Sequence, residues 1–226
     1  MNAIQLASML AETIRAKIPV LVQGAPGIGK SDILTKAAND AGADLILSHP
    51  AVADPTDVKG LPWIVKGKAG ASDSATFLPF GELEQAINAD KLTVWFLDDL
   101  GQASPAVQAS FMQLLLARRV NGHAISDHIV FVAATNRRTD RAGVSGILEP
   151  VKSRFGTIVE LEADIDSWSG WAIDNNVNPL LLAFLRFKPD LLCKFNATND
   201  LSNSPVPRTW SHVNRLLSLQ LSPAVQ

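Results

Sequence analysis

The chain has 226 residues, 47% of them hydrophobic, and a formal net charge of −2. This is enough apolar matter for a sizeable core, in one large domain or one medium and one small, and too much for a disordered chain. No long basic block is present, which argues against bulk electrostatic attraction to nucleic acid or to an anionic membrane surface.

Residues 3–17 carry Ile4, Leu6, Leu10 and Ile14 at helical spacing, which predicts an amphipathic helix packed on a sheet edge. Ile18-Pro19-Val20-Leu21-Val22 opens a strand near 18–23. A helix follows near 30–41, with Ile33, Leu34 and Ala37 on one face and Gly42 at its end. Asp44 to Ser48 is a short second strand. Trp63-Ile64-Val65 and Ala75-Thr76-Phe77-Leu78 flank a small-residue stretch and predict a protruding hairpin; a plain surface insertion is the competing reading. A short helix over 81–90 leads to Leu92 to Leu97, a continuous apolar run that suits a central parallel strand buried on both faces.

Ser104-Pro105 supplies an N-cap and a first-turn proline to a helix running to Arg118, with Arg118 and Arg119 in its last turn. A loop or small hairpin over 120–128 precedes a buried strand from His128 to Ala134. A helical turn over 150–155 and a strand over 157–161 complete the α/β pattern. Beyond Glu162 only helices are expected, near 165–176, 179–187 and 189–195 and from about 207, with an Asn-, Ser- and Pro-rich loop from Asn196 to Pro207. The single cysteine, Cys193, excludes an intrachain disulfide framework and reads as a buried, inert thiol. No apolar run has the length of a membrane span, and the start lacks the basic and apolar regions of a signal peptide. The expectation is a soluble, cytoplasmic protein with an α/β domain over 1–162, a hairpin insertion at about 61–79, and a small helical lid over 163–226.

The most specific signal is Gly24-Ala25-Pro26-Gly27-Ile28-Gly29-Lys30-Ser31, between the first strand and its helix. It fills every position of G-x-x-x-x-G-K-[ST], the phosphate-binding loop. Glycines admit positive φ and leave the backbone N–H groups free to turn around an anion, at the positive end of the following helix. With the adjoining Asp32 these are the candidate nucleotide-binding residues. Lys30 is expected on the β- and γ-phosphates, and the Ser31 hydroxyl on magnesium.

A second signal is Asp98-Asp99, at the tip of the apolar strand. Asp98 is the candidate magnesium ligand, with Ser31, and Asp99 the candidate that orients or deprotonates the attacking water. Asn136, where the next buried strand ends, suits a γ-phosphate or water contact; a turn asparagine is the plainer reading. Arg154 and Arg208 are single arginines, each weak alone.

Taken in order, Gly24 to Ser31, Phe96 to Asp99, Ala134-Thr135-Asn136, Ser153-Arg154-Phe155 and Pro207-Arg208 resemble the AAA+ ATPases, and most of all their MoxR-like, dynein-related branch. Gln102 to Gln108 looks like that branch's stretch after the acidic pair, and Pro205 to Trp210 like its lid motif. The resemblance covers nearly the whole chain. It implies a P-loop three-layer parallel-sheet AAA+ core followed by a small all-helical lid, with ATP and magnesium as ligands. It also implies that Asn136 is a sensor of the γ-phosphate and that Arg154 is a finger acting on ATP in the neighbouring subunit. Arg208 would be a second sensor, reaching in from the lid. Further implications are a homo-oligomeric ring, a hexamer in this class, and a hairpin facing its pore. Work on a protein partner, one with a von Willebrand A-type domain, is implied too. Arg137, Arg138 and Arg141 compete with Arg154 for the trans role. The family usually carries Asp-Glu where this chain has Asp98-Asp99. That leaves open a second reading, a nucleotide-gated assembly module with slow hydrolysis. A nucleic-acid motor shares the same motifs and is disfavoured by the acidic balance.

Overall fold

A computed structural model describes residues 1–67, 72–140, 146–198 and 200–219. Five parallel strands form the central sheet: β1 (Val20–Gly24), β2 (Asp44–Ser48), β5 (Thr93–Leu97), β8 (Ile129–Thr135) and β9 (Thr157–Leu161). They lie in the order β2-β5-β8-β1-β9. Every residue of β5 and β8 is buried, as continuous apolar strands covered on both faces must be.

Alternate side chains enter two cores. Val20, Val22, Phe96 and Val132 face α1 (Ala3–Arg15) and α2 (Lys30–Asp40). Leu21, Trp95, Leu97 and Phe131 face α3 (Pro55–Lys59), α4 (Gly81–Asn88), α5 (Pro105–Ala117) and α6 (Glu149–Lys152). Here the Trp95 ring stacks on Phe131 at 5.4 Å and meets Phe111 edge-on at 6.0 Å. The register matters for function. β1 ends at Gly24, β5 at Leu97 and β8 at Thr135, so the residues that follow all emerge at one end of the sheet.

Two hairpins project from this body. β3 (Leu61–Val65) and β4 (Ser74–Leu78) pair antiparallel, and Trp63 and Ile64 stand in solvent, 61% and 68% exposed. The smaller pair, β6 (Arg119–Val120) and β7 (His123–Ala124), braces their base. Asn121 Nδ2 donates to the Lys59 carbonyl at 2.9 Å, and His123 Nε2 lies 2.7 Å from the Phe77 carbonyl oxygen. At the C-terminal side α7 (Ile165–Asp174), α8 (Pro179–Phe187) and α9 (Pro207–Leu217) enclose their own small core of Trp168, Ala172, Leu181 and Leu185, with Trp210 against it.

Several local expectations change. Ile4 is 66% exposed, and α1 buries Leu6, Leu10, Ala11 and Ile14 instead. α1 packs beside α2 and meets the edge strand at its start, where the Met1 amino group donates to the Glu160 carbonyl. The segment Asp54 to Gly60 holds the short helix α3, whose sequence signals are an Asp54 N-cap, Pro55 and a capping box with Asp57. Arg118 is not in the last turn of α5. It caps the helix at φ +52, and its guanidinium donates to the Ser126 carbonyl. The expected helix over 189–195 is a single 3-10 turn, Pro189–Leu191. Tertiary partners take its backbone: the Leu191 carbonyl accepts from Trp210 Nε1, and the Lys194 N–H donates to the Pro205 carbonyl. Among the described residues no helix is long and apolar enough to cross a membrane.

Candidate functional site

Strand β1 delivers the chain into the glycine-rich turn. Gly27 and Gly29 take φ +72 and +100, which a side chain would strain, and Gly29 caps α2. Ile28 is buried in the core under the turn, which fixes the loop to the sheet. Asp32 lies in the first turn of α2, where a carboxylate favours the helix dipole. Lys30 is 7% exposed and donates to three oxygens: Gly24 O at 3.0 Å, Ala25 O at 3.1 Å and Asn136 Oδ1 at 2.7 Å.

The acidic pair stands beside this lysine. Ser31 Oγ donates to Asp98 Oδ2 at 2.7 Å. Asn136 Nδ2 donates to Asp99 Oδ1 at 3.2 Å, so one amide bridges the lysine and the second aspartate. Burial lowers the Lys30 pKa from 10.5 to about 8, against the pull of Asp99 and Asp98. Burial also raises the Asp99 carboxyl above its ordinary range, and the neighbouring Asp98 adds to this; Lys30, Arg208 and His49 oppose it. The arrangement concentrates a buried cation, two carboxylates, a hydroxyl and an amide within hydrogen-bonding reach of each other.

The chemistry of the donor set fits a magnesium-bound triphosphate. A serine hydroxyl and a carboxylate in contact are hard oxygen donors of the kind magnesium takes. That ion keeps waters and phosphate oxygens as its remaining ligands. Among the described residues no group of three His, Cys, Asp or Glu could hold a metal without such help. The turn itself presents two positive-φ glycines and a helix N-terminus to an anion.

Arg208 reaches the site from α9. Its backbone N–H donates to the Gly27 carbonyl at 3.0 Å, and its side-chain charge bears on both Lys30 and Asp99. Val206, the N-cap of α9, sits over Gly27 so closely that an added Cβ would lie 2.8 Å from Val206 Cγ2. The start of α9 is therefore seated directly on the glycine-rich turn.

Arg154 is not brought to this cluster. It precedes β9, whose first residue Thr157 pairs with Val20, the first of β1; the cluster lies at the opposite ends of these strands. Its guanidinium hydrogen-bonds back to the Pro150 carbonyl. Of its three competitors, Arg137 is engaged within the chain: it forks onto Asp140 at 3.0 and 3.1 Å and reaches Glu160 at 3.3 Å. Arg138 is exposed. Arg141 lies outside the described residues. The Arg137 clamp, Gln23 and Val206 escaped the sequence reading. The i,i+3 spacing of Arg137 and Asp140 directly after Asn136 was the available signal. Cys193 is half-buried and its thiol is pushed up, chiefly by burial, which leaves it poorly nucleophilic.

No family model and no curated protein matches the chain. Solved structures do. The Thermotoga maritima RuvB Holliday junction branch migration motor is 17% identical over 78% of this chain and 51% of that one, with a TM-score of 0.50. A point mutant of RuvB gives 14% identity, 95% and 68% coverage and a TM-score of 0.55. NtrX from Brucella abortus, solved with ADP, gives 14%, 97% and 55%, and 0.52. The chain spans about half the length of the first RuvB chain. It has the AAA+ α/β fold. At these identities the likeness carries the fold alone.

Proposed function

We propose that this chain binds ATP with magnesium at the Gly24 to Asp32 turn and hydrolyses it. The observation that carries the reading is the hydrogen-bonded set Lys30–Asn136–Asp99 beside Ser31–Asp98. Lys30 would leave its backbone acceptors for the phosphates. Ser31 and Asp98 would hold magnesium, which when bound screens the phosphate charge. Asp99 would take the proton of the attacking water, and Asn136 would hold that water or the γ-phosphate. Arg208 would bear on the γ-phosphate from a lid formed by residues 163–226.

Arg154 stands at the far ends of the strands, so a direct contact with ATP would have to be made at the site of a second copy. From the resemblance we infer a ring of subunits, hexameric in that class, whose exposed β3–β4 hairpins contact a protein partner. We therefore read the chain as a MoxR-like remodelling ATPase. The test is ATP turnover measured with particle mass across protein concentration. A rate per subunit that rises as rings form supports the shared site. A monomer with a concentration-independent rate removes Arg154 and the ring from the reading.

One observation favours a second reading. Asp99 is one methylene shorter than the glutamate usual at this position in the class resembled, so it would hold an attacking water less well. Tight nucleotide binding with ring formation and turnover far below one per second would make the chain a nucleotide-gated assembly module.

A further inference from the structure

Asn136 sits in no regular element. β8 ends at Thr135, and a 3-10 turn begins at Arg138. Yet its amide must hold one orientation, with oxygen toward Lys30 and nitrogen toward Asp99. The next residue supplies a restraint. The Arg137 guanidinium makes two parallel hydrogen bonds to Asp140, which is 8% exposed, and a third to Glu160 on β9. The Asp140 N–H donates back to the Arg137 carbonyl, which closes the turn. Glu160 also accepts from Gln23 Nε2 on β1 at 3.3 Å. The side chain thus ties the exit of β8 to the edge strand β9, with β1 lying between them in the sheet.

We propose that Arg137 is a positioning residue: with Asp140 and Glu160 it clamps the 136–140 turn and so sets the Asn136 amide against Lys30 and Asp99. The inference rests on the reading that Asn136 serves the phosphate site. It takes Arg137 out of the contest for a trans finger, because its donors are committed to two carboxylates of its own chain. Lysine cannot replace it, since one ammonium cannot fork onto Asp140 and reach Glu160 together.

The experiment uses the full chain and Arg137→Lys, alone and in an Asn136→Ala background. Arg137→Lys is expected to lower kcat about tenfold or more, with KM for ATP and the melting temperature little changed. In the Asn136→Ala background the same change is expected to alter kcat by less than twofold, because the residue it acts through is gone. An equal loss in both backgrounds would make Arg137 merely structural and overturn the proposal. So would recovery of turnover on mixing Arg137→Lys with Lys30→Ala subunits, which a trans role requires. Wild-type turnover separately tests the ATPase reading. If it is absent, the side-chain amide signals of Asn136 in 15N-resolved spectra decide. A shift or broadening in Arg137→Lys supports the clamp, and unchanged signals overturn it.

Discussion

Gly27 offers the sharpest test of how α9 meets the glycine-rich turn. Gly27 and Gly29 both have positive φ, but their surroundings differ. A Cβ on Gly29 meets nothing within 4 Å, whereas a Cβ on Gly27 falls 2.8 Å from Val206 Cγ2 and 3.3 Å from Arg208 Cβ. Alanine at either site strains the backbone by ~1–2 kcal/mol, partly offset by a stiffer unfolded chain worth up to ~1 kcal/mol. Only Gly27→Ala adds an overpacking cost of ~1–3 kcal/mol, because Val206 is β-branched and fixed at a helix N-cap. At roughly 2–4 °C per kcal/mol for a chain of this size, Gly27→Ala should melt several degrees below Gly29→Ala. Thermal unfolding of both variants measures it. Val206→Ala removes the offending methyl. Alone it should cost about 1–2 kcal/mol of burial, and in the Gly27→Ala background it should restore stability instead. Equal melting temperatures for the two glycine variants, with no rescue by Val206→Ala, would refute the docking of α9 on the turn.

Three further predictions follow from the site. Since the Lys30 pKa is lowered to about 8 in the folded protein, the unfolded chain holds more protons between about pH 8 and 10.5. Stability should therefore rise with pH across that window, and Lys30→Met should lose this rise in pH-dependent denaturation; ATP affinity should meanwhile fall, at most tenfold per unit, as pH increases through 8 and Lys30 loses its charge. Asp99→Asn should keep nucleotide binding and lose turnover, and in the wild type turnover should fall on acidification sooner than an ordinary carboxylate would dictate; a flat profile in the acid range would remove Asp99 as the base. Arg154→Ala and Lys30→Ala should each abolish turnover, and mixing the two should recover part of it; no recovery would argue against a site shared between copies.

The central sheet was legible because its physics is one-dimensional. β5 and β8 are buried on both faces, so continuous apolar runs announce them, and the polar residue after each run must lie at a strand end. That placed Asp98, Asp99 and Asn136 beside the glycine-rich turn once the strands were known to be parallel. What stayed hidden depends on partners distant in sequence. Leu191 and Lys194 lose their helix to Trp210 and Pro205, and no local pattern around 189–195 reveals this. Arg137 read as a competitor for the trans role until Glu160 was brought alongside it through the β8-β1-β9 order. Val206 looked like a loop valine until it was found over Gly27.

The departure at the acidic pair has a backbone side that the sequence could not show. Asp99 has φ +54 and ψ +36, in the left-handed region, and leads into a 3-10 turn at Leu100–Gln102. Aspartate is among the few residues with a side chain that occupy this region readily, because its short carboxyl can bond locally. Glutamate lacks that advantage. A longer side chain at 99 would extend the carboxyl toward an attacking water while adding strain at the same residue. The two effects separate in Asp99→Glu: reach acts on kcat, and backbone strain acts on the melting temperature. Faster turnover with a lower melting temperature would mean that the left-handed turn after β5 selects aspartate here at the expense of rate. A faster and equally stable variant would mean that the backbone imposes no such choice. The slower turnover of the wild type relative to that variant would then be a property of the side chain alone.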